Sequence, residues 1–319
     1  MSAPSFLQDL QYRLEFAGLK LGLGLFRLLG LDRASGFGGW LFRTVGPRLP
    51  ITRIARTNMA RAMPELSAAE IERYCADMWD NLGRTAAEYA HIDTLAGPER
   101  DKRISITGQE NVAEVIEQGK PAIFISGHIG NWELLPLCLG GTSLPERAGE
   151  VYRHANNPYV DKWMVNLRAK HIIPIQVPKG GPGGRQIITL MREKRSLCML
   201  VDQKMNNGIR AHFFGVPAMT TPSAALLALR FDAPIFLVTI KRKGGAYFDI
   251  HIHPPMKVDQ ENDNKTEIAR LTQALNDALE AHIRTRPHEW FWLHNRWPKD
   301  AVNERVAGDR AAPATSAAD

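Results

Sequence analysis

Two patterns of hydrophobic and polar residues divide the chain. In the first part, the Leu- and Phe-rich segment 14–31 predicts a helix. Residues 34–63 predict another helix, which ends before Pro64. Ser67 and Glu70 have the spacing of a capping box and predict the start of a third, through Trp79 and Tyr89. The first part of the chain is therefore expected to be helical.

Short apolar runs then alternate with helical stretches. The run 121–126 is bounded by glycine and is typical of a buried strand. Further strands are predicted at 149–152, 172–177, 197–202, 234–241 and 247–253, and helices at 132–139, 159–170, 186–193, 222–231 and 263–286. This alternation predicts the α/β class, with a layered mixed sheet flanked by helices.

Composition excludes several classes of protein. With 319 residues, 44% hydrophobic and 23% charged, the chain is too apolar to be disordered and too mixed for a multi-span membrane protein. Three cysteines occur, and none forms a CxxC motif. A disulfide framework and a Cys-rich zinc site are therefore not expected, and a reducing compartment is favoured.

Positive charge is concentrated near the start. Residues 1–63 contain nine Arg or Lys and three Asp or Glu, so this stretch carries +6, the net charge of the whole chain. Anionic lipid, nucleic acid or an acidic protein could bind it, but no aromatic-interleaved basic motif favours nucleic acid. Within 14–31, Lys20 and Arg27 would each cost about 2.5–3.5 kcal/mol at a bilayer centre.

A helix lying in the membrane interface, or a span whose basic side chains snorkel, is therefore favoured over an ordinary core helix. No small-residue cleavage site follows, so a removed signal peptide is not expected. The predicted organisation is a membrane-associated helix at 1–33, a main domain at 34–300 and a disordered tail at 301–319.

The segment after the first predicted strand carries the candidate chemistry. It reads Ser-Gly-His-Ile-Gly-Asn-Trp-Glu, with His128 and Glu133 five residues apart and a glycine on each side of the histidine. Across a strand–turn–helix junction the carboxylate could hold one ring nitrogen and leave the other as a general base. A structural histidine is the alternative. The segment has no HExxH metal motif and no G-x-S-x-G elbow around Ser126.

Four blocks in order resemble the bacterial lipid A late (secondary) acyltransferase family. They are GHIGNWE, then YR-x-x-NNP-x-x-D from Tyr152, then VDQ followed by FFG-x-PA-x-T from Val201 and Phe213, and RP-x-EW-x-W-x-H-x-R from Arg286. The family usually has Phe where this chain has Ile129. The resemblance covers roughly residues 5–298 and implies a glycerolipid-acyltransferase-like fold over the main domain.

The resemblance implies a reaction and a catalytic pair. His128 and Glu133 would form the catalytic dyad, with His128 deprotonating a hydroxyl that attacks the thioester of an acyl-acyl carrier protein. The acceptor would be a lipid A precursor, and the acyl chain would transfer directly, without a cofactor, a metal or an acyl-enzyme. The enzyme would act at the cytoplasmic face of the cell inner membrane.

The resemblance also implies binding residues, and each has a plain alternative. Arg153 and Asn131, or backbone N–H groups near them, are the oxyanion candidates. Arg153 suits bidentate phosphate recognition, or else a structural ion pair. The substrate-binding candidates are Arg153, Asn156, Asn157, Asp202 and Gln203.

Several interpretations stay open at the level of the sequence. The glycine-rich loop 179–185 could touch an anionic carrier protein or be a plain flexible loop. Trp290, Trp292 and Trp297 suit either a membrane–water boundary or the core. The acceptor could be another glycolipid or phospholipid, although H-x4-E rather than H-x4-D favours lipid A. A non-catalytic membrane-surface protein is the alternative of a different class, and oligomeric state is not predicted.

Overall fold

In the described part of the chain, helices precede the first strand, and a mixed sheet flanked by helices follows them. The computed structural model describes residues 4–140, 142, 144–259, 261–298 and 301. The helices are α1 Phe6–Leu29, α2 Leu31–Val45, α3 Thr52–Ala62, α4 Ala68–Glu88, α5 Ile92–Leu95, α6 Arg100–Arg103, α7 Ala113–Gln118, α8 Pro158–His171, α9 Gly181–Arg192, α10 Ser223–Phe231 and α11 Asn264–Thr285.

Nine strands are present in the described part of the chain. They are β1 Ile104–Thr107, β2 Ile123–Ser126, β3 Ala148–Tyr152, β4 Ile175–Pro178, β5 Ser196–Leu200, β6 Ile209–Phe213, β7 Val216–Thr220, β8 Ile235–Gly244 and β9 Tyr247–Ile252. Seven of them form a sheet in the order β1-β9-β8-β2-β5-β3-β4, and β6 and β7 form a separate hairpin. The pairing of β8 with β9 is antiparallel and the other pairings in the large sheet are parallel, so the predicted α/β class and mixed sheet are confirmed.

Alternation along the central strands produces one apolar core on each face of the sheet. In β2, Ile123 and Ile125 face one core, whereas Phe124 faces the other. Because β2 is buried on both faces, its sequence is a continuous apolar run rather than an alternating one. Trp290, Trp292 and Trp297 lie in the first of these cores with at most 3% exposure, so the core interpretation of this cluster is correct and the membrane-boundary interpretation is wrong.

Several predicted elements differ from the observed ones for local reasons. Gly30, with φ of +73°, separates α1 from α2, and a 3-10 turn at Gly46–Arg48 breaks the predicted helix 34–63. The predicted helix 132–139 is a 3-10 helix with Pro136 inside it, a residue that has no N–H to donate. The sequence prediction missed β1 and the β6–β7 hairpin.

The first helix lies on the surface and buries none of its residues. It is attached to α8 by polar contacts, in which Tyr159 donates to Asp9 and Asn157 donates to the Tyr12 carbonyl and to Glu15. In the described residues, no helix is at once long and apolar enough to cross a bilayer. The predicted span is thus not supported, while a membrane-associated helix and the boundaries at 33 and 300 stay predictions. Apart from Ala301, the predicted tail lies outside the described residues.

Candidate active site

Two neighbouring parallel strands bring the candidate catalytic groups together. Ser126, the last residue of β2, is in register with Leu200, the last residue of β5. The Val201 N–H donates to the Ser126 carbonyl at 3.0 Å and extends this pairing by one residue. His128 and Asp202 each follow two residues after their strand, so both lie at the carboxyl edge of the sheet, where α/β proteins commonly bind ligands.

A carboxylate holds the His128 imidazole, and it belongs to Asp202. The His128 Nδ1 and Asp202 Oδ1 atoms are 2.8 Å apart, and the His128 backbone N–H donates to Asp202 Oδ2 at 2.8 Å. Trp290 Nε1 also donates to Oδ2, at 2.7 Å. Because a carboxylate only accepts, Nδ1 carries the proton, and Nε2 of the neutral ring is left as a base.

Electrostatics keep Asp202 ionised. Its side chain has no exposed surface, and burial alone would raise the pKa of its carboxyl group. The charge of His128 and the hydrogen bonds from its ring and backbone outweigh burial and lower the pKa of Asp202 below its ordinary value. The ring of His128 is about a fifth exposed, so Nε2 can reach a ligand.

The two glycines beside His128 are required by close approach and by backbone conformation. A Cβ on Gly127 would lie 3.2 Å from the Asp202 carboxyl group, in a space that the hydrogen bonds keep narrow. Gly130 has φ of +56°, the left-handed region that glycine adopts at little cost. The Gly130 N–H donates to the Glu289 carbonyl and thereby joins this loop to the segment that carries Trp290.

A buried polar network also holds the loop that follows His128 in place. Arg242 on β8 forms a buried ion pair with Glu88 on α4 and donates to Asn81. Asn81 in turn donates to the Gly130 carbonyl at 3.0 Å. Asn131 donates its amide to Glu88 at 2.8 Å and does not line the cavity described below, and its role as an oxyanion donor stays a prediction.

Glu133 does not contact the imidazole, which corrects the expected geometry of the dyad. Arg168 on α8 binds its carboxylate in a bidentate manner, with both N–O distances 2.7 Å. Trp132 Nε1 and the Tyr89 hydroxyl also donate to it, at 3.1 and 3.4 Å. His128 and Glu133, which the sequence analysis expected to pair with each other, therefore bind different partners, Asp202 and Arg168. The predicted role of Glu133 in catalysis stays a prediction.

A cavity of about 570 Å³ lies over this edge of the sheet and includes His128, Glu133 and Arg168 in its wall. Much of the remaining wall is apolar and is formed by residues on both faces of the sheet. Apolar wall residues are Phe124, Ile125, Leu135, Pro136, Val151, Ile187, Met199, Leu200, Val201 and Val238. Such a cavity suits a ligand with a long apolar part and a reactive group near His128.

Two cysteines in the cavity wall are not nucleophiles in this geometry. Burial raises the pKa of Cys138 to about 12 and raises the pKa of Cys198 well above its ordinary value. Thiols in this state are neutral, and the thiolate is the reactive form. Among the described residues, no group of three His, Cys, Asp or Glu side chains could hold a metal ion.

The other predicted binding residues divide into two groups. Arg153 and Gln203 line the cavity, and Gln203 Nε2 lies 3.5 Å from His128 Nε2. Asn157 caps α8 and donates to α1, so its side chain is engaged in structural contacts. Asn156 is exposed and does not line the cavity. Asp202 contacts His128 and does not line the cavity either. Substrate binding by these three residues stays a prediction.

Sequence reasoning missed the part played by Arg168 and Trp290. Arg168 lies in the predicted helix 159–170 without any motif around it, and its partner Glu133 is 35 residues away. Trp290 was part of a noted cluster, but 88 residues separate it from Asp202. The one available signal was the VDQ block, whose Asp202 is the last residue of the predicted strand 197–202 and so lies near a strand end, as His128 does.

The profile of bacterial lipid A biosynthesis acyltransferases matches residues 6–299. The chain belongs to this family. The resemblance noted in the sequence is therefore confirmed, and the fold and the His128 segment are those of a lipid A biosynthesis acyltransferase family member.

Individual relatives of this family member are distant and differ in their acceptors. A phosphatidylinositol mannoside acyltransferase of Mycolicibacterium smegmatis is 24% identical over 247 residues, 73% of this chain and 77% of the relative. A protein of the same name from Mycobacterium tuberculosis is 22% identical over 79% of both chains. The lipid A biosynthesis palmitoleoyltransferase of Escherichia coli is 22% identical over 79% of this chain and 80% of the relative.

A carboxyl group in the cavity wall should make the stability of this acyltransferase depend on pH. Burial raises the pKa of Glu150 to about 7, Arg168 opposes that shift and Glu133 adds to it. Since the unfolded chain releases this proton at lower pH, the stability that Glu150 contributes is lost as pH rises from about 4.5 to about 7. Glu150→Gln should remove this loss, so urea unfolding at about pH 5 and about pH 8 should show a flatter pH dependence than wild type.

The exposed Glu146→Gln serves as the matched control and should keep the wild-type pH dependence. Identical slopes for Glu150→Gln and wild type would contradict the assignment of a neutral Glu150 below neutrality.

Proposed function

We propose that this protein transfers a fatty acyl chain from an acyl-acyl carrier protein to a hydroxyl group of a lipid A precursor. The observation that carries the proposal is the His128–Asp202 pair, with His128 in the wall of a largely apolar cavity at the sheet edge. Membership of the acyltransferase family supports the reaction class. The donor, the acceptor and the cellular location are the parts that we add.

The proposed reaction uses His128 as a general base and then as a general acid. Nε2 takes the proton of the acceptor hydroxyl while its oxygen attacks the thioester carbonyl carbon, forming the C–O bond. Collapse of the tetrahedral intermediate breaks the C–S bond, and the imidazolium returns the proton to the departing thiolate. Asp202 keeps Nδ1 protonated and stabilises the positive charge that the ring carries between these steps. The neutral cysteines in the wall agree with transfer that has no acyl-enzyme.

Glu133 and Arg168 would shape the cavity beside the reacting groups. Their bidentate pair is nearly buried and receives further hydrogen bonds from Trp132 and Tyr89. Trp132 also packs its ring edge against His128, with centroids 5.4 Å apart. We therefore assign Glu133 a positioning role through Trp132 and Arg168. Removing its charge would leave Arg168 buried without a partner, which is costly.

A second acceptor class is favoured by the relatives. Those from mycobacteria are phosphatidylinositol mannoside acyltransferases, and their identity to this chain is as high as that of the lipid A enzyme. Both acceptor classes are anionic glycolipids. Arg153 and Lys179 follow adjacent strands at the cavity wall, where Tyr152 and Pro178 are in register, and they would suit either headgroup.

The surface of the N-terminal helices suits a membrane interface. In the described residues, all but two of the exposed large apolar side chains lie between residues 6 and 51. On α1, Leu7, Leu14, Leu21 and Leu28 recur every seven residues and form one exposed stripe, opposite the side that contacts α8. We propose that this stripe lies in the lipid, at the cytoplasmic face of the inner membrane, where carrier-bound chains and lipid precursor would meet.

Transfer can be tested directly. The purified full-length protein is incubated with acyl carrier proteins of several chain lengths and, in parallel, with a tetra-acyl lipid A precursor or a phosphatidylinositol mannoside, and the lipids are analysed by mass spectrometry. A mass increase of one acyl chain on the lipid A precursor supports the proposal. Exclusive acylation of the mannoside would replace the acceptor, and no acylation of either would support the non-catalytic alternative.

Substitutions should separate the base from the residue that orients it. His128→Ala should abolish transfer, and Asp202→Asn should lower kcat by roughly 10²-fold or more, because the amide no longer fixes the tautomer or stabilises the imidazolium. Initial rates with saturating donor provide the measurement. Asp232→Asn, at an exposed aspartate paired with Lys120, is the matched control and should leave kcat unchanged. Full turnover by His128→Ala would remove this residue from the mechanism.

The membrane proposal predicts a loss of vesicle binding that depends on position. Leu14→Glu combined with Leu21→Glu should weaken binding to phosphatidylglycerol–phosphatidylethanolamine vesicles at least tenfold, because each buried Leu contributes about 1.5–3 kcal/mol. Co-sedimentation measures the bound fraction. Leu226→Glu, at an exposed leucine on α10, is the control and should bind as wild type does. Equal binding by all three proteins would show that the α1 stripe is not the membrane contact.

A further inference from the structure

One polar group in the cavity wall has no partner within the protein. Ser126 is only 3% exposed, and its Oγ atom lacks a hydrogen bond. Of the buried side-chain atoms without a partner in the described part of the chain, this is the one whose residue lines the cavity. Buried hydroxyl groups in folded proteins nearly always have a partner, so an unpartnered one beside a cavity points to a ligand.

The backbone places this hydroxyl on a face of the sheet that contributes residues to the cavity wall. Ser126 follows Phe124 by two residues in β2, so both side chains lie on the same face, and Phe124 also lines the cavity. The paired strand contributes Leu200 and Cys198 to the same wall. The Ser126 carbonyl is already occupied by the Val201 N–H, so the side chain is the group that remains available.

The hydroxyl is also close to the proposed reaction centre. Ser126 precedes His128 by two residues, and two residues of extended chain span at most about 7 Å. In the proposed reaction the acceptor oxygen lies within hydrogen-bond distance of Nε2, and the thioester carbonyl lies next to that oxygen. Ser126 and His128 both line the cavity, so a thioester bound there would lie against the part of the wall that carries both residues.

We propose that the Ser126 hydroxyl donates a hydrogen bond to the carbonyl oxygen of the acyl donor's thioester and stabilises the charge that this oxygen gains. The inference rests on the proposed function. It assigns Ser126 as a catalytic residue that contacts substrate and changes no covalent bond of its own. Asn131, one of the donors expected from the sequence beside Arg153, donates its amide to Glu88 and does not line the cavity.

A matched pair of serine substitutions tests this role. Ser126→Ala should lower kcat by roughly 10²-fold with KM within about threefold of wild type, because the donor acts mainly in the transition state. Its Tm should be unchanged or higher, since no protein hydrogen bond is lost. Ser196→Ala removes a buried hydroxyl of β5 that accepts from the Ala122 N–H, so it should lower Tm and keep kcat.

A binding measurement separates failure of this inference from failure of the proposed function. The probe is an acyl-pantetheine in which a methylene replaces sulfur, giving an unreactive ketone labelled with ¹³C at the carbonyl. Bound to wild type, its carbonyl resonance should lie downfield of its position in Ser126→Ala. Equal resonances, or an unchanged kcat in Ser126→Ala, would overturn the role of Ser126 and leave the proposed function intact. No binding and no transfer by wild type would overturn both.

Discussion

The carboxylate of Asp202 lies in the interior, and the ring of His128, its backbone N–H and the indole of Trp290 all donate to it. A charged carboxylate removed from water costs free energy unless hydrogen bonds replace the lost water. The buried Asp202 therefore needs these donors. Meeting that requirement brings together the ends of β2 and β5 and the segment after α11. The position of the His128 imidazole is thus a consequence of how one buried charge finds its hydrogen-bond partners, and the arrangement depends on contacts distant in sequence.

Neighbouring residues hold the His128–Asp202 pair in place. Gly127 leaves room for Asp202, and Asn81 and the Arg242–Glu88 pair hold the loop at Gly130 from the other side. Glu133 lies in the first turn of the 3-10 helix Trp132–Leu139 and binds Arg168. One short segment therefore separates two charged centres, an ionised aspartate that supports the base and a glutamate–arginine pair that shapes the cavity. A single dyad of neighbouring residues would not have given both functions.

The sequence predicted the class of fold and the position of His128 well, because apolar runs and flanking glycines are local features. It assigned the wrong carboxylate, since Glu133 is near in sequence whereas Asp202 is 74 residues away, and spacing carries no information about such contacts. The sequence around Asn157 fits both a substrate-binding residue and a helix cap. The structure shows Asn157 as the N-cap of α8, which the sequence alone did not reveal. Pro136 changed a predicted helix into a 3-10 helix by removing a donor.

The central claim is that Asp202 fixes the tautomer of His128 and leaves Nε2 as the base. ¹⁵N NMR of histidine-labelled protein, with His128→Gln to identify the resonances, reports which nitrogen of this ring is protonated at a pH where the ring is neutral. The account predicts a proton on Nδ1 and an unprotonated Nε2, with this preference lost in Asp202→Asn. A neutral ring protonated on Nε2 in wild type would contradict it.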